Sequence, residues 1–154
     1  MSHTNYCKLM DEFCSRYALK NASQLYEQAA LKVGGIEFFL GHGGSANTDG
    51  MLVCCKYGTA PIALLPMVMA RLLQANLKLF APGDMRFGLT PLEHEVVLTG
   101  IVPMAHLDAA ALMQLLEHLA EAAHAWRKSY FLLSPMENRP AEPFLTIAED
   151  EQAA

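Results

Sequence analysis

The sequence predicts an α+β domain with helices packed on an antiparallel sheet, in the order helix, three strands, helix, two strands, helix. Three observations predict it. Three long segments repeat apolar residues at helical spacing, five short segments are rich in β-branched and aromatic residues, and turn residues separate neighbouring strands. Strands grouped into hairpins and separated by helices are typical of this class.

The first part of the chain predicts one helix and three strands. Apolar residues recur at three- and four-residue steps over residues 6–19, and "KNASQ" then ends the helical pattern. The strands "YEQAALKV", "IEFFL" and "MLVCCKY" follow. Gly34-Gly35 between the first two is the signal of a two-residue hairpin.

The stretch "GHGGSANTDG", residues 41–50, first suggests a phosphate or oxyanion site because it combines glycines with a histidine and a serine. A phosphate-binding loop needs a lysine and a following helix, whereas this stretch has no lysine and precedes a strand. The chain contains no G-x-S-x-G nucleophile elbow. We therefore interpret the stretch as a hairpin loop between the second and third strands.

The second part predicts a helix over residues 61–80, two strands in "MRFGLT" and "EVVLTGIVPM", and a third helix that begins near Asp108, a suitable N-cap. The helix at 61–80 is apolar over most of its circumference, more than one small sheet can cover. This helix therefore needs either more core or another subunit. Residues 1–134 form the predicted domain, and 135–154 form an acidic, proline-containing tail in which "FLTI" (144–147) is able to dock.

Composition and charge exclude several classes of function. The chain is 53% hydrophobic and 18% charged, as in a folded soluble domain, and no apolar run reaches the ~18 residues of a membrane span. The net charge is -5, but the tail holds five acids and one base, which leaves the body near neutral. We see no basic patch, which argues against nucleic acid as a partner. Four cysteines without C-x-x-C spacing or a signal sequence favour free thiols in the cytosol.

No set of residues in the sequence assembles a reaction or a metal site. The histidines show neither H-E-x-x-H nor H-x-x-x-H spacing, and Cys14 is expected to be a core residue. We therefore predict no enzyme activity and no cofactor or metal. The alternative that stays open is a small α+β ligand-binding protein or enzyme with an unrecognised site.

The strand faces carry more information. By alternation, one face holds only apolar residues and is the predicted core face: Ile36, Phe38, Leu40, Met51, Val53, Cys55 and Tyr57. The opposite face mixes charged residues with Phe39, Leu52 and Cys54. Either these three are stray exposed residues, which are common, or they form a binding surface for an extended apolar polypeptide.

The layout resembles the CesT/Tir-type chaperones of bacterial type III secretion over about residues 5–131. The resemblance is carried by "LLQANL" at the end of the middle helix, by the strand and helix entry "MLVCCKYGTAP", and by the third helix "LDAAALMQLLEHLAEAAHAWRK". The loop at 41–50 is longer, and the body less acidic, than is usual in that family.

The resemblance implies a non-enzymatic homodimer in the bacterial cytosol. Such chaperones bind the N-terminal segment of a secreted effector in extended form, keep it competent for export and deliver it to the secretion ATPase. By position, the implied dimer interface comprises Met69, Leu72, Leu73, Asn76, Phe87 and Leu89. The first helix and the outer sheet face are implied to bind the effector, with Phe13, Phe39, Leu52 and Cys54 as candidates.

Overall fold

The computed structural model describes residues 2–20, 22–27, 29–43, 49–78 and 85–132. Within these ranges, three α-helices and five strands follow one another in the predicted order. They are α1 (Ser2–Arg16), β1 (Ala29–Val33), β2 (Ile36–His42), β3 (Gly50–Thr59), α2 (Leu65–Lys78), β4 (Arg86–Leu89), β5 (Glu95–Pro103) and α3 (Ala109–Ser129). No helix within these ranges is long and apolar enough to cross a bilayer.

The five strands form one antiparallel sheet in the order β1-β2-β3-β5-β4. The sheet is therefore two hairpin groups joined through β3 and β5, with α2 inserted in the chain between them. Strand β1 lies at one edge and β4 at the other.

One face of the sheet packs against α1 and α3 to form the core. All seven residues assigned to this face by alternation are buried, which confirms the predicted strand parity. The helices contribute the largest apolar side chains, and among the fully buried ones are Trp126, Tyr6, Phe13 and Met10. The hydroxyl of Tyr6 donates to the backbone oxygen of Leu25 at 2.9 Å, and burial raises its pKa to about 12.

Local signals in the sequence explain several boundaries. Gly34 and Gly35 both have positive φ, +56° and +80°, as a two-residue type I′ hairpin requires. Asp108 caps α3, since its carboxylate accepts a hydrogen bond from the Ala111 backbone N–H at 2.7 Å. Both features confirm the predictions.

A β-bulge between Lys56 and Gly58 bends β3 where it pairs with β5. Gly58 has φ +116°, a conformation that residues with a Cβ atom rarely adopt. Arg127 on α3 donates from Nε to the Tyr57 carbonyl at 2.5 Å and from Nη2 to the Lys56 carbonyl at 3.5 Å. The last turn of α3 thus supports the bend.

The structure differs from the prediction mainly at the ends of elements. The helix α1 begins at Ser2 rather than at residue 6. In the segment predicted as a strand over 26–33, Tyr26 and Glu27 form a turn after a 3₁₀ turn at Ala22–Leu25, and β1 begins at Ala29. A second 3₁₀ turn, Ile62–Leu64, leads into α2. The predicted end of the middle helix at 79–80 and the tail 135–154 lie outside the described residues.

Candidate functional site

The outer face of the sheet, opposite α1 and α3, brings the three predicted strand residues together. Phe39 on β2 lies directly opposite Cys54 on β3, and Cys54 lies opposite Thr99 on β5. Leu52 lies opposite Ile101 in the neighbouring row. Phe39 and Cys54 are half-buried, whereas Leu52 is 39% exposed. We call Phe39, Leu52, Cys54 and Ile101 the outer patch.

Charged residues border the outer patch at one end. Lys32 on β1 lies opposite Glu37 on β2, and Lys56 on β3 contacts both Glu37 at 3.2 Å and Glu95 on β5 at 3.5 Å. The signs therefore alternate across four strands. The Lys56 ammonium lies 5.4 Å from the ring centroid of Phe39, and its hydrogen bond to Glu37 raises its pKa. Lys56 thus stays protonated and bounds the patch.

Glycines of the 41–50 stretch shape the other end of the outer patch. Gly41 and His42 end β2 and Gly50 begins β3, so the connection between the strands is shorter than the predicted loop, and residues 44–48 lie outside the described part of the chain. A Cβ atom at Gly43 or Gly50 would come within 2.5 or 2.4 Å of the Ile101 side chain. These two glycines let Ile101 lie on the hairpin backbone, a packing role that the sequence analysis missed.

The two adjacent cysteines of β3 point to opposite faces, as predicted. Cys55 is fully buried in the core, and burial raises the pKa of its thiol to about 12. Cys54 on the outer patch also has a raised thiol pKa, because burial outweighs the opposing effects of Thr99 and Lys56. Neither thiol is suited to act as a nucleophile near neutral pH.

A groove of about 580 Å³ runs along the edge of the sheet formed by β1. The end of α1, the chain up to Leu25, β1 and Met113 of α3 form its walls. Phe13, predicted to contact a partner, is only 1% exposed and belongs to the core, so it contributes a deep wall of this groove rather than an open surface. Leu19, which the sequence analysis did not single out, is 41% exposed at the groove.

The helix α2 presents a second apolar surface, which we call the α2 stripe. It repeats at helical spacing along the helix and consists of exposed residues: Pro66, Met69, Ala70, Leu73 and Leu77. Leu73 is 68% and Leu77 is 72% exposed. Leu72, one of the predicted interface residues, faces the other way and is 6% exposed in the core.

The remaining predicted interface residues have contacts within the chain. The side chain of Asn76 is hydrogen-bonded to the backbone of Phe87. The Phe87 ring packs edge-on against Tyr57 and Phe131, with centroids 5.1 and 5.9 Å away. Phe87 and Leu89 are both half-buried. The structure thus places these residues beside α2 at the β4 edge.

The described residues contain no group of three or more His, Cys, Asp or Glu side chains that could hold a metal ion. A second, smaller pocket of about 300 Å³ lies between α1 and the chain before α3, and Asn5, Lys8, Glu12 and Asp49 are its polar lining residues. Asn5 Nδ2 donates to Asp49 Oδ2 at 2.9 Å, and this hydrogen bond connects the end of the glycine-rich stretch to α1.

A scan against protein-family models matches residues 12–127 to the Tir chaperone protein (CesT) family. The match includes α2 and the five strands, and thus the outer patch and the α2 stripe. A search of curated proteins gives no significant match.

Three solved structures have a similar fold. A chain of the ExsC–ExsE complex aligns with a TM-score of 0.61 and 21% identity, over 83% of this chain and 95% of that one. A chain of the ExoT–SpcS complex from Pseudomonas aeruginosa aligns with a TM-score of 0.53 and 22% identity, over 79% and 96%. A chain of the heterodimeric ExoU–SpcU complex from the type III secretion system of the same organism aligns with a TM-score of 0.54 and 21% identity, over 75% and 92%.

Proposed function

The chain belongs to the Tir chaperone protein (CesT) family and is an effector-binding chaperone of type III secretion, and from this premise we propose where it binds its effector and how it assembles. We place it in the bacterial cytosol as a homodimer. Its cargo is the N-terminal segment of a secreted effector, and delivery to the secretion ATPase is its final step.

The main observation that supports the proposed effector-binding site is the apolar character of the outer patch. The core face is already used by α1 and α3, yet the opposite face still presents Phe39, Leu52 and Cys54 side by side. A patch of this kind beside a charged row suits an extended segment whose alternate side chains are apolar. The groove along β1 continues this surface toward α1 and offers Leu19 and Tyr17 as further contacts.

The α2 stripe supports the homodimer. A helix with Leu73 and Leu77 about two-thirds exposed would leave a large apolar surface in water, and a second copy of the same stripe would cover it. The stripe lies beyond β4, whereas the groove lies at the opposite edge of the sheet along β1. Assembly and effector binding therefore use separate surfaces of each protomer.

The mechanism follows from holding the effector in extended form. Apolar side chains of the effector that bind to the outer patch are no longer free to form the effector's own core, so the bound segment stays unfolded. Ordering this segment costs conformational entropy, which limits the affinity and permits release at the export machinery. The chaperone needs no chemical step.

Co-expression with the N-terminal ~100 residues of a candidate effector tests the proposal. We expect a stable complex in which the chaperone dimer carries the effector segment, with its mass measured by light scattering after size-exclusion chromatography. An effector lacking its N-terminal segment is the matched control and should not co-purify. A chaperone that remains monomeric at micromolar concentration, or that binds both effector forms equally, would contradict it.

A further inference from the structure

The groove along β1 has apolar walls and a basic rim. Its walls include Phe13, Leu25 and Met113, whereas Lys20 and Lys32 are both exposed at its mouth. Among the described residues that line the groove, none carries a carboxylate. A ligand therefore binds this groove best if it has apolar side chains that contact the walls and negative charges that lie near the two lysines.

The strand β1 adds a second requirement. Within the described residues it pairs with β2 alone, so its other edge presents backbone N–H and C=O groups without a strand partner. A segment that binds there satisfies these groups best as an added strand. The expected occupant is thus short, rich in β-forming residues, and acidic.

We propose that residues 142–151 of the same chain, "EPFLTIAEDE", occupy this groove when no effector is bound. The four central residues 144–147, "FLTI", are apolar or β-branched and have high strand propensity. Four carboxylates flank them, at Glu142, Glu149, Asp150 and Glu151, and the segment carries no base. Its sequence matches each property of the groove, although residues 133–154 lie outside the described part of the chain.

The chain between the end of α3 and residue 144 is long enough to reach the groove. The helix α3 ends at Ser129, and its residue Met113 forms part of the groove wall, which places the groove about 24 Å back along the helix axis. Eleven residues lie between Leu132 and Phe144, and the twelve Cα–Cα steps that join them span up to ~40 Å. The tail can therefore reach the groove of its own protomer.

The tail can occupy the groove whether or not the proposed function is correct. The consequence for effector binding, however, rests on the proposed function. If the effector contacts the groove, it must displace the tail, so the tail lowers the affinity for effectors and covers the β1 edge in the free chaperone. Covering a free edge also protects against edge-to-edge association.

Hydrogen exchange of the full-length chain without effector tests the proposal. We expect the amides of 30–33 in wild type to be protected at least fivefold more than in the Leu145→Asp/Ile147→Asp double variant. Met136→Asp is the matched control, since it adds an acid to the tail outside 142–151, and it should keep wild-type protection. Amides of β5 should not differ between the three chains, which verifies that the domain stays folded.

Two further measurements distinguish the tail of the same chain from other segments that could bind in the groove. Lys20→Glu should lower the protection of 30–33 about threefold, as expected for an exposed ion pair, whereas Lys8→Glu on the other side of α1 should not. Equal protection of 30–33 in wild type and the double variant overturns the proposal. Protection that falls on dilution also overturns it, because the tail would then come from a second copy. Neither result depends on effector co-purification, so the two proposals fail separately.

Discussion

The side chain of Asn76 on α2 is paired with the backbone of Phe87 on β4 by two hydrogen bonds. Its Nδ2 donates to the Phe87 oxygen at 3.1 Å, and its Oδ1 accepts from the Phe87 N–H at 2.7 Å. One amide thus satisfies both backbone groups of a residue in an edge strand, as a neighbouring strand would. Asn76 fixes α2 beside the sheet and closes the β4 edge at this position.

Replacing Asn76 by alanine should lower the free energy of unfolding by about 1–3 kcal/mol, because the partly buried Phe87 backbone would lose both partners. Asn76→Asp should be almost as destabilising, since a carboxylate cannot donate to the Phe87 oxygen. Urea unfolding at one fixed protein concentration measures both. Gln74→Ala, an exposed position on the same helix, is the control and should stay within about 0.5 kcal/mol of wild type. Equal stability of Asn76→Ala and Gln74→Ala would disprove the role of the pair.

The contrast between Gly34-Gly35 and Asn76 shows what the sequence could predict. The hairpin glycines, the Asp108 cap and the strand parity rest on neighbours within a few residues, so their patterns are visible in the chain, and the order of elements follows from them. Asn76 bonds 11 residues away and Arg127 70 residues away, through contacts that exist only after the sheet has formed. Glycines 43 and 50 attracted a chemical interpretation because their packing partner, Ile101, is remote in sequence.

The same limit applies to the candidate surfaces. Alternation placed Phe39, Leu52 and Cys54 on one face, and the register shows them adjacent. The resemblance implies an interface along α2 by position but does not say which side of the helix is buried, so it groups Leu72, a core residue, with the exposed Leu73. The groove along β1 escaped prediction because its walls come from four separate segments.

A charge on the α2 stripe should separate the proposed dimer. Leu73→Asp would place a carboxylate among apolar residues of two protomers, where it has no partner, so we expect light scattering to give half the wild-type mass or an unfolded chain. Leu73→Ser is the milder variant and should raise the dissociation constant without unfolding. Leu19→Asp, an exposed leucine at the opposite edge of the sheet, should keep the wild-type mass. Dimers of unchanged mass in Leu73→Asp would rule out this interface.

Gly58→Ala should destabilise the domain by at least ~1 kcal/mol. Its φ of +116° is unfavourable for alanine, and the new Cβ atom would lie 3.3 Å from Nε of Arg127, the atom that supports the bulge. Thermal unfolding measures the loss. Gly88→Ala is the matched control, since a Cβ atom there meets only the Val97 side chain at 3.7 Å. A smaller loss for Gly58→Ala than for Gly88→Ala would contradict a strained bulge.

Leu52→Asp should abolish effector co-purification while leaving the dimer intact. The new carboxylate would sit in the centre of the outer patch, where an apolar effector side chain could not pair with it. Lys128→Asp changes an exposed charge on α3, away from the outer patch and from the groove, and should retain most of the effector. The complementary variant Leu73→Ser should affect assembly and spare effector binding by each protomer. Full effector binding by Leu52→Asp would remove the outer patch from the binding site.

Alkylation of Cys54 should report both its environment and effector binding. Because burial raises the pKa of its thiol, less thiolate is present at a given pH, and labelling by iodoacetamide should keep rising about tenfold per pH unit where a free cysteine, with a pKa near 8.5, levels off. Tandem mass spectrometry distinguishes Cys54 from the buried Cys55, which should react far more slowly. Bound effector should slow Cys54 labelling at least about tenfold relative to the free chaperone at the same pH, because the segment covers the outer patch. A labelling rate that is the same with and without effector, in a complex verified by mass, would mean that the effector binds elsewhere.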